Sequence, residues 1–182
     1  MERAGLLIDL RKCTGCLACT VGCKQVHQLA AGEFWIEVFT VGPQGRFPDV
    51  SMYWLPVMCM HCQEAPCIEA CVEGAIRRRD DGIVILDPEA CPGCGLCAPA
   101  CPYHVIQFDQ ARQLATKCNL CAERVDRGDL PYCVQTCTAG ALHFGDLADP
   151  TSDVARSFAA NAAQALLPDP NTRPSVYYIG LE

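Results

Sequence analysis

Apolar residues along this chain fall into short blocks broken by Gly, Pro, Asn and Asp, and long stretches of helical periodicity are scarce. The blocks at residues 5–10, 34–41, 52–57, 83–87, 106–109, 142–145 and 176–179 predict strands. Residues 76–79 and 83–86 flank Asp80-Asp81-Gly82, a hairpin signal. Short helices are predicted at 17–29 and 120–127. A longer amphipathic helix is predicted at 149–167, with Thr151 or Ser152 as its cap, Val154, Phe158, Ala162 and Leu166 on one face, and Pro168 and Pro170 ending it. That stripe is expected to pack on its own domain, partner docking being the alternative. A turn leading into an apolar strand start recurs after Cys71 (Ala75-Ile76), after Cys101 (Val105-Ile106) and after Cys137 (Ala141-Leu142). The repeating unit is strand, cysteine loop, short helix, strand, so the class is α+β and loop-rich.

Composition explains what organises so many loops. The 182 residues include 16 cysteines in four groups of four: Cys13, Cys16, Cys19, Cys23; Cys59, Cys62, Cys67, Cys71; Cys91, Cys94, Cys97, Cys101; and Cys118, Cys121, Cys133, Cys137. The first and third read C-x2-C-x2-C-x3-C, and the third ends in Cys101-Pro102, which is the bacterial ferredoxin run for 4Fe-4S clusters. Sixteen thiolates suffice for four such clusters. A disulfide framework belongs to smaller secreted scaffolds. Zinc fits only the fourth group, whose C-x2-C-x11-C-x3-C spacing is zinc-like read alone. With 14 glycines and 13 prolines, the fold is expected to depend on its metal centres. Net charge is −7, and roughly −2 per cluster is added on loading, which argues against a nucleic-acid partner. No apolar run approaches the roughly 20 residues of a membrane span.

The short distance from Cys71 to Cys91 joins the second and third groups as a two-cluster ferredoxin-like module, leaving the first and fourth to form another. In such modules the fourth cysteine of each run crosses to the other cluster. The expected sets are Cys13, Cys16, Cys19 and Cys137; Cys23, Cys118, Cys121 and Cys133; Cys59, Cys62, Cys67 and Cys101; and Cys71, Cys91, Cys94 and Cys97. The inner module, 51–110, is then inserted in an outer one, 1–50 plus 111–146, with 147–182 as a helix and strand extension.

These motifs resemble the four-cluster electron-transfer subunits of molybdenum or tungsten pterin oxidoreductases, the dimethyl sulfoxide, polysulfide and formate enzymes among them. The resemblance covers residues 6–145. It rests on Cys13-Thr14-Gly15-Cys16-Leu17-Ala18-Cys19 with Cys23-Lys24, on Cys59-Met60-His61-Cys62 with Ala65-Pro66-Cys67, and on Lys117-Cys118-Asn119-Leu120-Cys121 with Arg124, Gly128, Pro131, Cys133 and Cys137. The segment Arg173-Pro174-Ser175-Val176-Tyr177-Tyr178 is similar to the family's tail. Val26-His27 replaces the family's usual Glu-Asn, and Val72 and Thr138 stand where proline usually follows the fourth cysteine. Some relatives carry a 3Fe-4S centre where a third-group cysteine is replaced; here Cys94 and its neighbours are present. The resemblance implies a large pterin-bearing catalytic partner. It also implies a second redox subunit, flavin/NAD or membrane quinone-reactive, or another copy of the chain.

His61 is read either as a hydrogen-bond donor tuning a cluster or as a solvent-facing turn residue. His27, His104 and His143 are read as structural. Lys24 and Lys117 either offset cluster charge or are solvated. Arg77, Arg78 and Arg79 form either a docking patch or, the preferred reading, a solvated strand edge. No nucleotide loop or nucleophile with its base is visible, so the chain is read as non-catalytic. Three functions remain in view: a wire within a larger oxidoreductase, a free soluble polyferredoxin, and a zinc-ordered scaffold. Without a twin-arginine signal before Cys13 the expected placement is cytoplasmic, in a complex resembling the soluble tungsten aldehyde oxidoreductases that use such a subunit. Export beside a catalytic partner carrying that signal is the competing placement.

Overall fold

The computed structural model describes residues 1–167 and 171–181. In chain order the elements are β1 (Ala4–Asp9), α1 (Ala18–His27), β2 (Ile36–Arg46), β3 (Asp49–Met58), α2 (Pro66–Glu69), β4 (Ile76–Arg78), β5 (Val84–Leu86), α3 (Cys97–Ala100), β6 (Gln107–Asp109), β7 (Leu114–Thr116), α4 (Ala122–Val125), α5 (Tyr132–Gln135), β8 (Leu142–Asp146), α6 (Asp153–Ala160) and β9 (Val176–Ile179). The mixed, loop-rich α+β class follows.

β1 is buried along its whole length because it is the centre of a three-stranded sheet. β8 pairs with it antiparallel (Ile8↔Leu142), and β9 pairs parallel (Leu6↔Val176). Leu6 and Ile8 enter the main core, whereas Leu7 meets Val154 and Ile179 beneath α6 on the other face. Burial on both faces is why this strand reads as an unbroken apolar run rather than an alternation. The other strands form three antiparallel hairpins, β2–β3, β4–β5 and β6–β7.

The tail ties these parts together. Before β9, the Arg173 and Thr172 carbonyls accept from the Gln63 and Glu64 N–H groups, and the Ser175 N–H donates to the Met60 carbonyl. Residues 60–64, the second cysteine loop, are thus strapped to the strand that completes the β1 sheet.

Several predicted elements differ in extent. α1 is shorter than 17–29 because Leu17 and Gln28 adopt left-handed backbone at its two ends. α4 is a single turn because Leu120 and Cys121 are both left-handed. The helix predicted over 149–167 ends at Ala160: Ala162 is left-handed, and Gln164 then bridges to Tyr178. Ala162 is consequently exposed, and Leu166 packs on the main core instead of continuing the α6 stripe. Ser152 is its cap, accepting from the Ala155 N–H at 3.1 Å, while Val154 and Phe158 pack on the sheet and Phe158 meets Tyr177 edge-on at 4.7 Å. Pro168 and Pro170, expected to end that helix, lie outside the described residues. The strand β7 falls outside the predicted blocks.

Candidate functional site

Each cysteine loop must turn sharply enough to present several thiols to one space, and left-handed residues accomplish this: Gly15, Leu17, His61, Gly93, Leu120 and Cys121 all have positive φ. Gly15 and Gly93 occupy matching places in the first and third runs. A Cβ on Gly15 would lie 2.4 Å from the Trp54 ring of β3, and one on Gly93 would lie 2.1 Å from the Gln113 carbonyl in the β6–β7 turn. A hairpin thus presses on each loop where only glycine fits.

The sequence-distant thiols meet at two chambers. One is lined by Cys59, Cys62, Cys67 and Cys101 together with Met60, Val84, Val105 and Ile106. The other is lined by Cys13, Cys16, Cys19 and Cys137 with Val38, Ala141 and Leu142. In both, three cysteines come from one run and the fourth from another. The remaining eight fall into two neighbourhoods seen through their mutual charge. Cys97 feels Cys91, Cys71 and Cys94. Cys118 feels Cys23, Cys59 and Cys133, and Cys133 feels Cys121, Cys23 and Cys19, so this neighbourhood adjoins both chambers.

All sixteen thiols are free of disulfides. Burial pushes Cys23, Cys62 and Cys67 up to about 12 and Cys19 up to about 11, so metal binding at these sulfurs releases protons. Among the described residues no three His, Cys, Asp or Glu side chains close on one point as a single ion requires. The thiols stand around a space instead, with soft sulfur donors and apolar walls, which fits an iron–sulfur group.

Backbone N–H groups already reach some sulfurs: Leu120 to Cys118 at 3.3 Å, Tyr132 to Cys121 at 3.5 Å and Ala141 to Cys137 at 3.2 Å. His27 joins them, its Nε2 lying 3.3 Å from the Cys121 sulfur with the ring tilted against Trp35. His27, read as structural, thus packs against a cysteine sulfur. Its contact lies 94 residues away along the chain, and no local pattern announces it.

His61 is fully buried, which overturns its reading as a solvent-facing turn. Its Nδ1 accepts the Val84 N–H at 3.0 Å, so the proton of the neutral ring sits on Nε2, a buried atom with no protein partner. Burial first, and the charge of Lys117 second, hold this ring well below the ordinary histidine pKa. Lys117 is likewise buried and not a surface lysine. Lys24, by contrast, donates to the carbonyls of Ala30 and Glu33 at 2.7 and 2.6 Å, over the Phe34 ring. It ties down the loop after α1. Of the three arginines, Arg77 and Arg78 are exposed on β4, whereas Arg79 is paired with Asp81 and Asp126.

A sequence model of the 4Fe-4S dicluster domain matches residues 50–147, which hold twelve of the sixteen cysteines and more than half of the chain. This chain belongs to that family. Relatives extend the likeness to the first cysteine group as well. A tetrathionate reductase subunit of Salmonella typhimurium is 39% identical, covering 100% of this chain and 74% of its own length. A sulfite dehydrogenase subunit of Allochromatium vinosum is 32% identical over 98% of this chain and 83% of its own. The arsenate respiratory reductase iron-sulfur subunit ArrB of a Shewanella species is 30% identical over 97% and 96%. The resemblance carried by the cysteine motifs agrees with this membership. Among the described residues no helix is long and apolar enough to cross a membrane.

Proposed function

We propose that this chain is the electron-transfer subunit of an oxidoreductase complex, holding four 4Fe-4S clusters in line between a molybdenum- or tungsten-pterin catalytic subunit and a second redox partner. The observation that carries the proposal is the pair of matched apolar chambers, each combining three cysteines of one run with the fourth of another. The four ligand sets are those expected from the spacing: Cys13, Cys16, Cys19 and Cys137; Cys23, Cys118, Cys121 and Cys133; Cys59, Cys62, Cys67 and Cys101; Cys71, Cys91, Cys94 and Cys97. When bound, such a cluster supplies one-electron exchange without bond rearrangement.

The chain's own residues supply position, dryness and charge. Met60, Val84 and Ile106 wall off water at one chamber, and Val38 and Leu142 do so at another. Cys16 and Cys94 are the exposed thiols, which suits sets at opposite ends of the line that meet partners. Between them, Cys59 and Cys118 are close enough for their charges to interact, which joins the two middle sets. The nested arrangement, 51–110 within 1–50 plus 111–146 and followed by 147–182, is part of this proposal. It is supported by the β1–β8 pairing that brings the first and fourth runs together. Cytoplasmic placement is likewise part of what we propose, and recovery in an exported complex with a twin-arginine-bearing partner would replace it.

Anaerobic analysis of the native chain tests the reading. It should find about 16 iron and 16 acid-labile sulfide per chain, and the chain should co-purify with a large pterin-containing subunit. Loading at half this level with free thiols remaining would defeat the four-cluster reading. Isolation as an unaccompanied soluble protein would favour the polyferredoxin shuttle instead.

A further inference from the structure

The protein has three lysines, and each adjoins a cysteine: Lys12 beside Cys13, Lys24 beside Cys23 and Lys117 beside Cys118. Lys12 is half exposed and lies 4.0 Å from Asp9, and Lys24 is held by carbonyls of the loop after α1. Lys117 differs from both. It is 2% exposed, its ammonium donates to the Cys118 carbonyl at 2.9 Å and to the Val84 carbonyl, and it lies 3.9 Å from the Cys59 sulfur. Val84 is itself fixed, since its N–H is held by His61. One peptide strand thus locks both a neutral imidazole and an ammonium at the boundary between the Cys59 and Cys118 sets.

Among the described residues no carboxylate lies within ion-pair distance of this ammonium. A buried cation satisfied only by neutral carbonyls is costly unless an anion stands nearby. The negative groups its position offers are the sulfurs: Cys59 in contact, Cys67 within reach of its charge, and Cys118 on the neighbouring residue.

We propose that Lys117 is the shared counter-ion of the two middle cysteine sets, and that its fixed positive charge raises the reduction potential of the centres they hold. The proposal rests on the four-cluster reading above. The step it acts on is a one-electron exchange in which one centre is oxidised as its neighbour is reduced, and no proton or bond moves. A positive charge between them favours the reduced state of either.

The experiment compares native, K117M and K117R holoproteins, prepared anaerobically, by potentiometric titration followed by electron paramagnetic resonance. In K117M, two of the four centres should shift to lower potential, their reduced-to-oxidised ratio at a fixed poise falling about tenfold or more. The other two should titrate as in the native protein, and K117R should keep the native order. Four unmoved centres in K117M, an equal shift of all four, or a K117R shift matching K117M would each overturn the proposal. Should K117M not take up iron, [15N]lysine labelling decides on a protein with Lys117 intact. With Lys12 and Lys24 changed to Gln, a pulsed-resonance 15N coupling to a reduced centre should persist; its absence overturns the proposal. A native chain loading fewer than four clusters removes the functional reading itself, and iron content shows this before any variant is made.

Discussion

Replacing His61 with Ala leaves the Val84 N–H buried without its acceptor, a loss of about 1–3 kcal/mol, to which the emptied ring volume adds. The loaded H61A protein should bleach near 400 nm at a lower temperature than the native protein, and bleaching at the native temperature would show that the bond contributes little. Arg79 makes a contrasting case. Its ion pairs with Asp81 and Asp126 are partly solvated, so R79A should lose less than about 1 kcal/mol. The R77A/R78A double variant should match the native protein within about 0.5 kcal/mol, because both side chains are exposed. Thermal bleaching ranks all three, and a double variant less stable than R79A would contradict this division. Sequence alone marks His61 and Lys117 as neighbours of cysteines, since they are adjacent in the chain. It leaves their burial open, because burial is decided by β5 and the tail, which are remote. His27 shows the same limit: α1 carries it to Cys121, and that meeting is tertiary.

Elements are most legible where burial is two-sided or a turn is distinctive. The apolar block at 176–179 matches β9 in its bounds, and the β4–β5 hairpin follows from Asp80-Asp81-Gly82. β7 is illegible because three residues, Leu114–Thr116, give no period, and they form a strand only by pairing with β6. The helices are shorter than their patterns because local apolar spacing carries no sign of the left-handed residues that the cysteine loops and the Gln164–Tyr178 bridge require. The tail gives a prediction at this scale. Deleting residues 171–182 removes β9 from the sheet and frees the carbonyls that hold the Gln63 and Glu64 N–H groups. The truncated chain should lose iron on anaerobic gel filtration, with hydrogen exchange rising first at residues 59–64. Full retention of iron with native exchange there would show that the strap is dispensable.

At the scale of the whole molecule, spacing identifies the cysteine runs, but only the folded chain brings their members together. Cys137 lines a chamber with Cys13 because β8 pairs with β1. Short strands joined through cysteine loops leave little core that is independent of the thiols, since many of the buried residues are the cysteines themselves. Chelation of the iron should therefore abolish most amide protection outside the β1 sheet, and native-like protection in the iron-free chain would show that the polypeptide holds its own shape. The arrangement of ligands is tested most directly by an iron-anomalous map from crystals of the anaerobically prepared protein. It should show four 4Fe-4S clusters in a row, with Cys137 bound beside Cys13, Cys16 and Cys19, and Cys101 beside Cys59, Cys62 and Cys67. Fewer clusters, or Cys137 bound beside Cys118, Cys121 and Cys133, would contradict the account.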